Sequence, residues 1–90
     1  MAEETILIVD DEKLVRWSLR QKIEQWGYQV QEAENGAAAL RAAQAATPDL
    51  ILLDVHLPDM TGLEVLQKLK DAGQARAVIM MTGDPQLDDV

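Results

Sequence analysis

The chain has 90 residues, a formal net charge of −8 and 48% hydrophobic residues, with two Trp, one Tyr and no Phe or Cys. The acidity argues against a nucleic-acid or anionic-membrane surface on this segment, since Lys and Arg build such surfaces, and the lack of Cys excludes disulfides and thiolate metal sites. No stretch approaches the roughly 20 apolar residues of a membrane span, and the acidic N-terminus does not resemble a signal peptide, so we expect one small cytoplasmic domain without membrane contact.

The first half of the chain predicts alternating strands and helices. Residues 5–9 form a continuous run of β-branched and aliphatic residues, as in a strand that is buried on both faces. The residues that follow at helical spacing, and so predict one buried stripe, are Val15, Leu19, Ile23 and Trp26. Trp17 lies opposite this stripe and is predicted to be partly exposed, and Gly27 is a helix stop. Residues 28–33 alternate as in an edge strand, and the Ala-rich residues 37–46 predict a second helix.

The second half continues the same alternation. Residues 50–53 are the most hydrophobic run and predict a central strand. Thr61 and Glu64 have the spacing of a capping box, which predicts a helix through Lys70. The residues predicted to form its apolar rows are Leu63, Leu66 and Leu69. Residues 77–81 predict a fourth strand, which residues 82–85 end.

This order of elements predicts an α/β fold with a doubly wound parallel sheet. Strands that alternate with helices form parallel sheets with right-handed crossovers. In such sheets the reactive crevice lies at the carboxyl ends of the strands, where the winding direction reverses. For a flavodoxin-like strand order 2-1-3-4, that point lies between the first and third strands, which end at Asp10-Asp11 and Asp54.

Three carboxylates should therefore meet at one edge of the sheet. Asp10, Asp11 and Asp54 would repel one another unless a cation lay among their oxygen atoms. Mg²⁺ prefers oxygen ligands of this kind. The sequence thus predicts a magnesium site of the type that supports phosphoryl transfer.

The three acids belong to a larger set of residues at defined positions relative to the strand ends. In chain order, the set comprises Asp10 and Asp11 after the first strand, Asp54 after the third, Pro58 and Gly62 beyond it, and Thr82 after the fourth. This pattern resembles the receiver domain of bacterial two-component response regulators. Residues 15–19 and 81–85 also resemble the receivers of nitrogen-regulation-type, sigma-factor-dependent transcriptional activators.

The resemblance implies a site and a signalling role. In such a receiver, Asp54 accepts a phosphoryl group from a histidine of a sensor kinase. Asp11, Asp54 and the backbone carbonyl of His56 would bind Mg²⁺ directly, and Asp10 would bind it mainly through a water molecule. Thr82 would donate a hydrogen bond to the phosphoryl group, so that movement of its loop carries the signal to the surface. A receiver of this kind is a regulatory module rather than an enzyme, and binding to DNA would belong to other domains.

The chain departs from the family pattern at its C-terminal end. The family carries a lysine at the end of a fifth strand, which contacts the phosphoryl group, and then a fifth helix, whereas this sequence stops at Val90. We therefore expect residues 1–90 to be a partial receiver domain without the fifth strand and helix. Phosphorylation of this form should be weak or absent, because the missing lysine would be a donor aimed at the developing negative charge.

Two alternatives lead to different functions. The fragment could act without phosphotransfer as an association or domain-swapped module, with a homodimer formed through an exposed sheet edge. A magnesium-dependent phosphatase of the haloacid-dehalogenase kind fits less well, because that family needs a second Asp two residues after the nucleophile. Here His56 and Glu12 occupy the corresponding positions after Asp54 and Asp10. Taken alone, Asp11 could also be only the N-cap of the first helix.

Overall fold

The computed structural model describes residues 4–74 and 76–81. Their elements in chain order are β1 (Thr5–Val9), α1 (Lys13–Gln25), β2 (Gln29–Ala33), α2 (Gly36–Ala45), β3 (Leu50–Asp54), α3 (Gly62–Asp71) and β4 (Val78–Met81). The four strands form one parallel sheet in the order β2-β1-β3-β4. The predicted α/β fold with flavodoxin-like strand order is confirmed, and β2 and β4 are the edge strands of the described sheet.

The sheet is covered on both faces because alternate residues of β1 and β3 point to opposite sides. One cluster packs β1 and β3 against α2 and α3; its fully buried members include Leu7, Val9, Ile51, Leu53, Ala39, Ala43, Val65 and Leu69. The other packs Ile6 and Ile8 against Ile23 of α1. This arrangement fixes the central strands, whose carboxyl ends carry the predicted acidic site.

Two predicted core positions are wrong. Trp26 is 66% exposed, because α1 ends at Gln25 and Trp26 is its C-cap, one residue before Gly27 turns the chain with a positive φ. Leu63 is 63% exposed in the first turn of α3, and Val65 instead pairs with Leu69 on the buried face. Leu63, Leu66 and Leu69 are three residues apart, whereas Val65 and Leu69 are four apart, and both spacings are compatible with one side of a helix. Packing against the core cluster of β1 and β3 selects Val65 and Leu69. Trp17 is exposed as predicted.

The start of α3 has the capping box that the sequence predicts. The Thr61 hydroxyl accepts a hydrogen bond from the Glu64 N–H at 3.1 Å, and the Glu64 carboxylate accepts one from the Thr61 N–H at 3.3 Å. These bonds satisfy backbone donors that a helix start leaves unpaired. The cap fixes the end of the loop that begins at Asp54.

Within the described residues, the longest helix has 13 residues, and none combines the length and apolar character needed to cross a lipid bilayer.

Candidate functional site

The carboxyl ends of β1 and β3 lie side by side. Val9 is the register partner of Leu53 in this parallel pair, so the next residues, Asp10 and Asp54, emerge at the same edge of the sheet. Asp54 is the last residue of β3 and pairs on its other side with Met81 of β4. The predicted meeting of the N-terminal acids with the mid-chain aspartate at one edge follows directly from this register.

Asp10 is the buried acid of the site, with 7% of its surface exposed. Burial raises the pKa of its carboxyl group, the hydrogen bond from the Glu12 N–H at 2.8 Å opposes this rise, and repulsion from Asp54, Asp11 and Glu12 adds to it. The repulsion from Asp54 follows from the side-by-side placement of the two strand ends. A cation at this edge would offset the same repulsion.

The closest group of carboxylates differs from the predicted trio. Ligand oxygens of Asp10, Asp11 and Glu12 all lie within 4.8 Å of one another, whereas Asp54 is not in that group. Sequence reasoning missed Glu12, although its place directly after the acidic pair was a signal. Glu12 also occupies the N-cap position of α1 without a side-chain cap, so the alternative of Asp11 as N-cap is not supported.

The Asp54 carboxylate is held by its own loop. Its Oδ1 accepts a hydrogen bond from the His56 N–H at 3.1 Å. The Gly62 N–H donates to the Val55 carbonyl at 2.7 Å, and His56 forms an isolated bridge with Thr61. A side chain at position 62 would collide with the Asp54 carbonyl oxygen, so this short return of the chain requires glycine.

The remaining predicted residues divide between the described and the undescribed parts of the chain. The His56 side chain is exposed, in keeping with a role for its backbone alone. Thr82 lies outside the described residues, and its predicted bond to a phosphoryl group stays a prediction.

Arg16, to which the sequence analysis assigned no role, contacts the backbone of the acidic site. Nη1 of Arg16 donates to the backbone carbonyl of Asp10 at 2.7 Å, and Nε donates to Glu32 at 3.0 Å. Only 11% of the Arg16 side chain is exposed. Arg16 thus ties the end of β1 to both α1 and β2, which limits the backbone freedom of Asp10.

Comparison with known proteins places the chain in a family. The model of the response regulator receiver domain matches residues 6–90. Sporulation initiation phosphotransferase F of Bacillus subtilis is 41% identical over 88 residues, which cover 98% of this chain and 71% of that protein. The probable transcriptional regulatory protein TcrX of Mycobacterium tuberculosis is 35% identical over 85 residues, which cover 94% of this chain and 36% of TcrX.

A solved structure agrees with these sequence matches. Response regulator protein TrrA from Thermotoga maritima, solved in complex with Mg²⁺-BeF, superimposes with a TM-score of 0.83 at 32% identity. The match covers 96% of this chain and 75% of TrrA. With its strand order and its acidic edge, the chain belongs to the response regulator receiver domain family.

Proposed function

We propose that this receiver accepts a phosphoryl group on Asp54 from a phosphohistidine of a sensor kinase. The observation that carries the proposal is the meeting of Asp54 with Asp10 at the carboxyl edge of β1 and β3, close enough for Asp54 to raise the pKa of Asp10. Asp54 is half-buried at this edge of the sheet. The loop that follows it is braced by backbone hydrogen bonds, which favours a fixed direction of attack.

We further propose that the site binds Mg²⁺ through Asp11, Asp54 and the backbone carbonyl of His56, with Asp10 acting mainly through water. The donor set is made of oxygen atoms, the ligands that Mg²⁺ prefers, and the crowded carboxylates favour a cation among them. The related TrrA was solved with Mg²⁺-BeF. Glu12, which lies in the same close group, is an additional candidate for a water-mediated contact.

The chemistry follows from these positions. One carboxylate oxygen of Asp54 attacks the phosphorus atom, while the bond from phosphorus to the histidine nitrogen of the donor breaks and its electron pair leaves on that nitrogen. When bound, Mg²⁺ supplies positive charge that offsets repulsion between the carboxylates and the phosphoryl oxygens. The Thr82 hydroxyl then donates to a phosphoryl oxygen, and movement of its loop changes the surface that partners meet.

The output of the signal belongs to the same proposal. TcrX is named as a transcriptional regulatory protein, and its match to this chain covers only 36% of its length. We propose that this receiver likewise controls a transcription-regulating partner domain. A narrower assignment to the nitrogen-regulation type rests on residues 15–19 and 81–85, and a sigma-factor-dependent ATPase domain encoded in the same protein would support it.

Self-association through the sheet edge remains a separate proposal. β4 is an edge strand of the described sheet, and an edge strand offers backbone groups that can pair with another chain. Its Ile79 side chain is 52% exposed, so a change there alters this surface. Light scattering of the wild type and of Ile79→Lys over a range of concentrations tests it. A concentration-independent monomer mass for the wild type would contradict it.

Phosphorylation of Asp54 is tested with a small-molecule donor. We expect the full-length protein, incubated with acetyl phosphate and Mg²⁺, to gain the mass of one phosphoryl group, and Asp54→Asn to gain none. Asp71→Asn, which removes an exposed acid on α3, should behave as the wild type. Equal mass gain by Asp54→Asn, or no gain by the wild type, would contradict the proposal.

A further inference from the structure

The loop that follows β3 is attached to α2 through one carboxylate. Asp59 Oδ1 accepts a hydrogen bond from the Gly36 N–H at 2.8 Å, and Oδ2 accepts one from the Ala37 N–H at 2.9 Å. These amides lie in the first turn of α2, where backbone donors lack partners within the helix. The next amide, that of Ala38, is bonded to the Asn35 side chain at 2.8 Å. Asp59 therefore completes the cap of a helix that begins 23 residues earlier.

The neighbouring side chain makes a second contact with the same helix start. Met60 packs on the main core cluster and fills the space beside Gly36. A Cβ at position 36 would collide with Cγ of Met60 and lie 2.7 Å from its Sδ. The lack of a side chain at Gly36 is thus what allows the loop to lie against α2. Two adjacent residues hold the loop here, one through hydrogen bonds and one through packing.

Asp59 and Met60 lie within residues 54–62, a segment whose two ends are joined by hydrogen bonds. At its start, the His56 N–H donates to the Asp54 carboxylate, and at its end Gly62 bonds back to Val55. His56 also pairs with Thr61, two residues beyond Asp59. Asp59 therefore lies inside a segment whose ends are joined to each other, and the His56 N–H links the start of that segment to the Asp54 carboxylate.

We propose that Asp59 is a positioning residue for the phosphoacceptor loop, holding Asp54 and the His56 backbone in the geometry that receives Mg²⁺ and the phosphoryl group. The inference rests on the proposed function of Asp54. Asp59 does not belong to the close carboxylate group of Asp10, Asp11 and Glu12, and both of its oxygens are bonded to α2. It therefore acts through the loop and not as a ligand.

The test compares two variants that each weaken the start of α2. Asp59→Ala removes both bonds from the loop, and Asn35→Ala removes the helix's own cap without touching the loop. Asp59→Asn, which retains one acceptor oxygen, is the conservative variant. Each variant is studied in the full-length protein. We measure its dissociation constant for Mg²⁺, its rate of phosphorylation by acetyl phosphate and its midpoint of urea denaturation. NMR gives the backbone amide shifts of Gly36, Ala37 and His56.

We expect Asp59→Ala to weaken Mg²⁺ binding and slow phosphorylation several-fold, below the roughly 10–100-fold typical when a group bonded directly to a metal ligand is lost. Asp59→Asn should be intermediate. Asn35→Ala should lower the urea midpoint yet leave Mg²⁺ binding and the His56 amide unchanged. Equal losses of Mg²⁺ affinity in Asp59→Ala and Asn35→Ala would overturn the proposal, because the effect would then be one of helix stability.

The amide shifts separate this inference from the proposed function. If the wild type is not phosphorylated, the function of Asp54 fails, but a change at His56 in Asp59→Ala still supports the positioning role. If Gly36 and Ala37 shift in Asp59→Ala while His56 does not, Asp59 caps α2 and nothing more.

Discussion

Asp10 carries a charge that the folded state disfavours. Burial raises the pKa of its carboxyl group, and the nearby carboxylates add to the rise. A raised pKa means that the folded chain binds this proton more tightly than the unfolded chain does. Asp10 therefore lowers the free energy of unfolding as pH rises from the ordinary value of 3.8 through the folded pKa, and the full penalty remains at neutral pH.

We predict that Asp10→Asn increases the free energy of unfolding near neutral pH in buffer without divalent cations. The amide oxygen can still accept the bond from the Glu12 N–H, so the change removes mainly the charge. The gain should disappear below pH 3.8, where the carboxyl group is protonated in both states. Urea denaturation at both pH values checks this, with the exposed neighbour change Asp11→Asn as a control that should give a smaller gain. A lower free energy of unfolding for Asp10→Asn than for the wild type at neutral pH would show that repulsion between the carboxylates does not dominate the stability of this edge of the sheet.

At the scale of elements, Glu32 joins helix α1 to strand β2. Its carboxylate accepts hydrogen bonds from Arg20 at 2.7 Å and from Arg16 at 3.0 Å, and 26% of its side chain is exposed. The bond from Arg20, followed by that from Arg16, holds the pKa of Glu32 below its ordinary value against the opposing effect of burial. Arg16 also bonds the Asp10 carbonyl, so this ion pair network reaches the acidic site.

We predict that Glu32→Gln lowers the free energy of unfolding at neutral pH by about 1–2 kcal/mol, between the values for exposed ion pairs and for hydrogen bonds to charged groups. Because the folded pKa is lowered, this contribution is fully present above the ordinary value of 4.5 and is lost as pH falls through the folded pKa. Denaturation curves of wild type and Glu32→Gln should therefore converge in acid. Glu24→Gln, whose carboxylate bonds Arg20 within α1, is the control and should change stability less. A difference that persists unchanged in acid would mean that the Glu32 charge is not its source.

At the scale of the whole molecule, the parts that were predictable from sequence are those that depend on local pattern. The apolar run of β1, the central strand β3 and the Thr61–Glu64 cap are confirmed because each signal is local and strong. The convergence of Asp10 and Asp54 also followed, since strand order and parallel direction suffice to bring strand ends together.

The parts that were not predictable depend on where an element ends and on how side chains of separate elements meet. Trp26 matched the stripe of α1, but the helix ended before it could reach the core. The bonds of Arg16 to Asp10 and of Asp59 to Gly36 join residues whose proximity no local pattern encodes. Which carboxylate oxygens lie closest was also beyond sequence reasoning, because it depends on side-chain rotamers at the strand ends.

Asp54 and the acids after β1 are proposed to share one magnesium ion. The direct measurement is a Mg²⁺ titration of the full-length protein followed by the backbone amide shifts of Asp10, Asp11 and Asp54. We expect all three amides to shift on one binding curve with a common dissociation constant, and Asp54→Asn to weaken that binding. The shared site would be contradicted if only the amides of Asp10 and Asp11 shifted and the Mg²⁺ binding curve of Asp54→Asn matched that of the wild type.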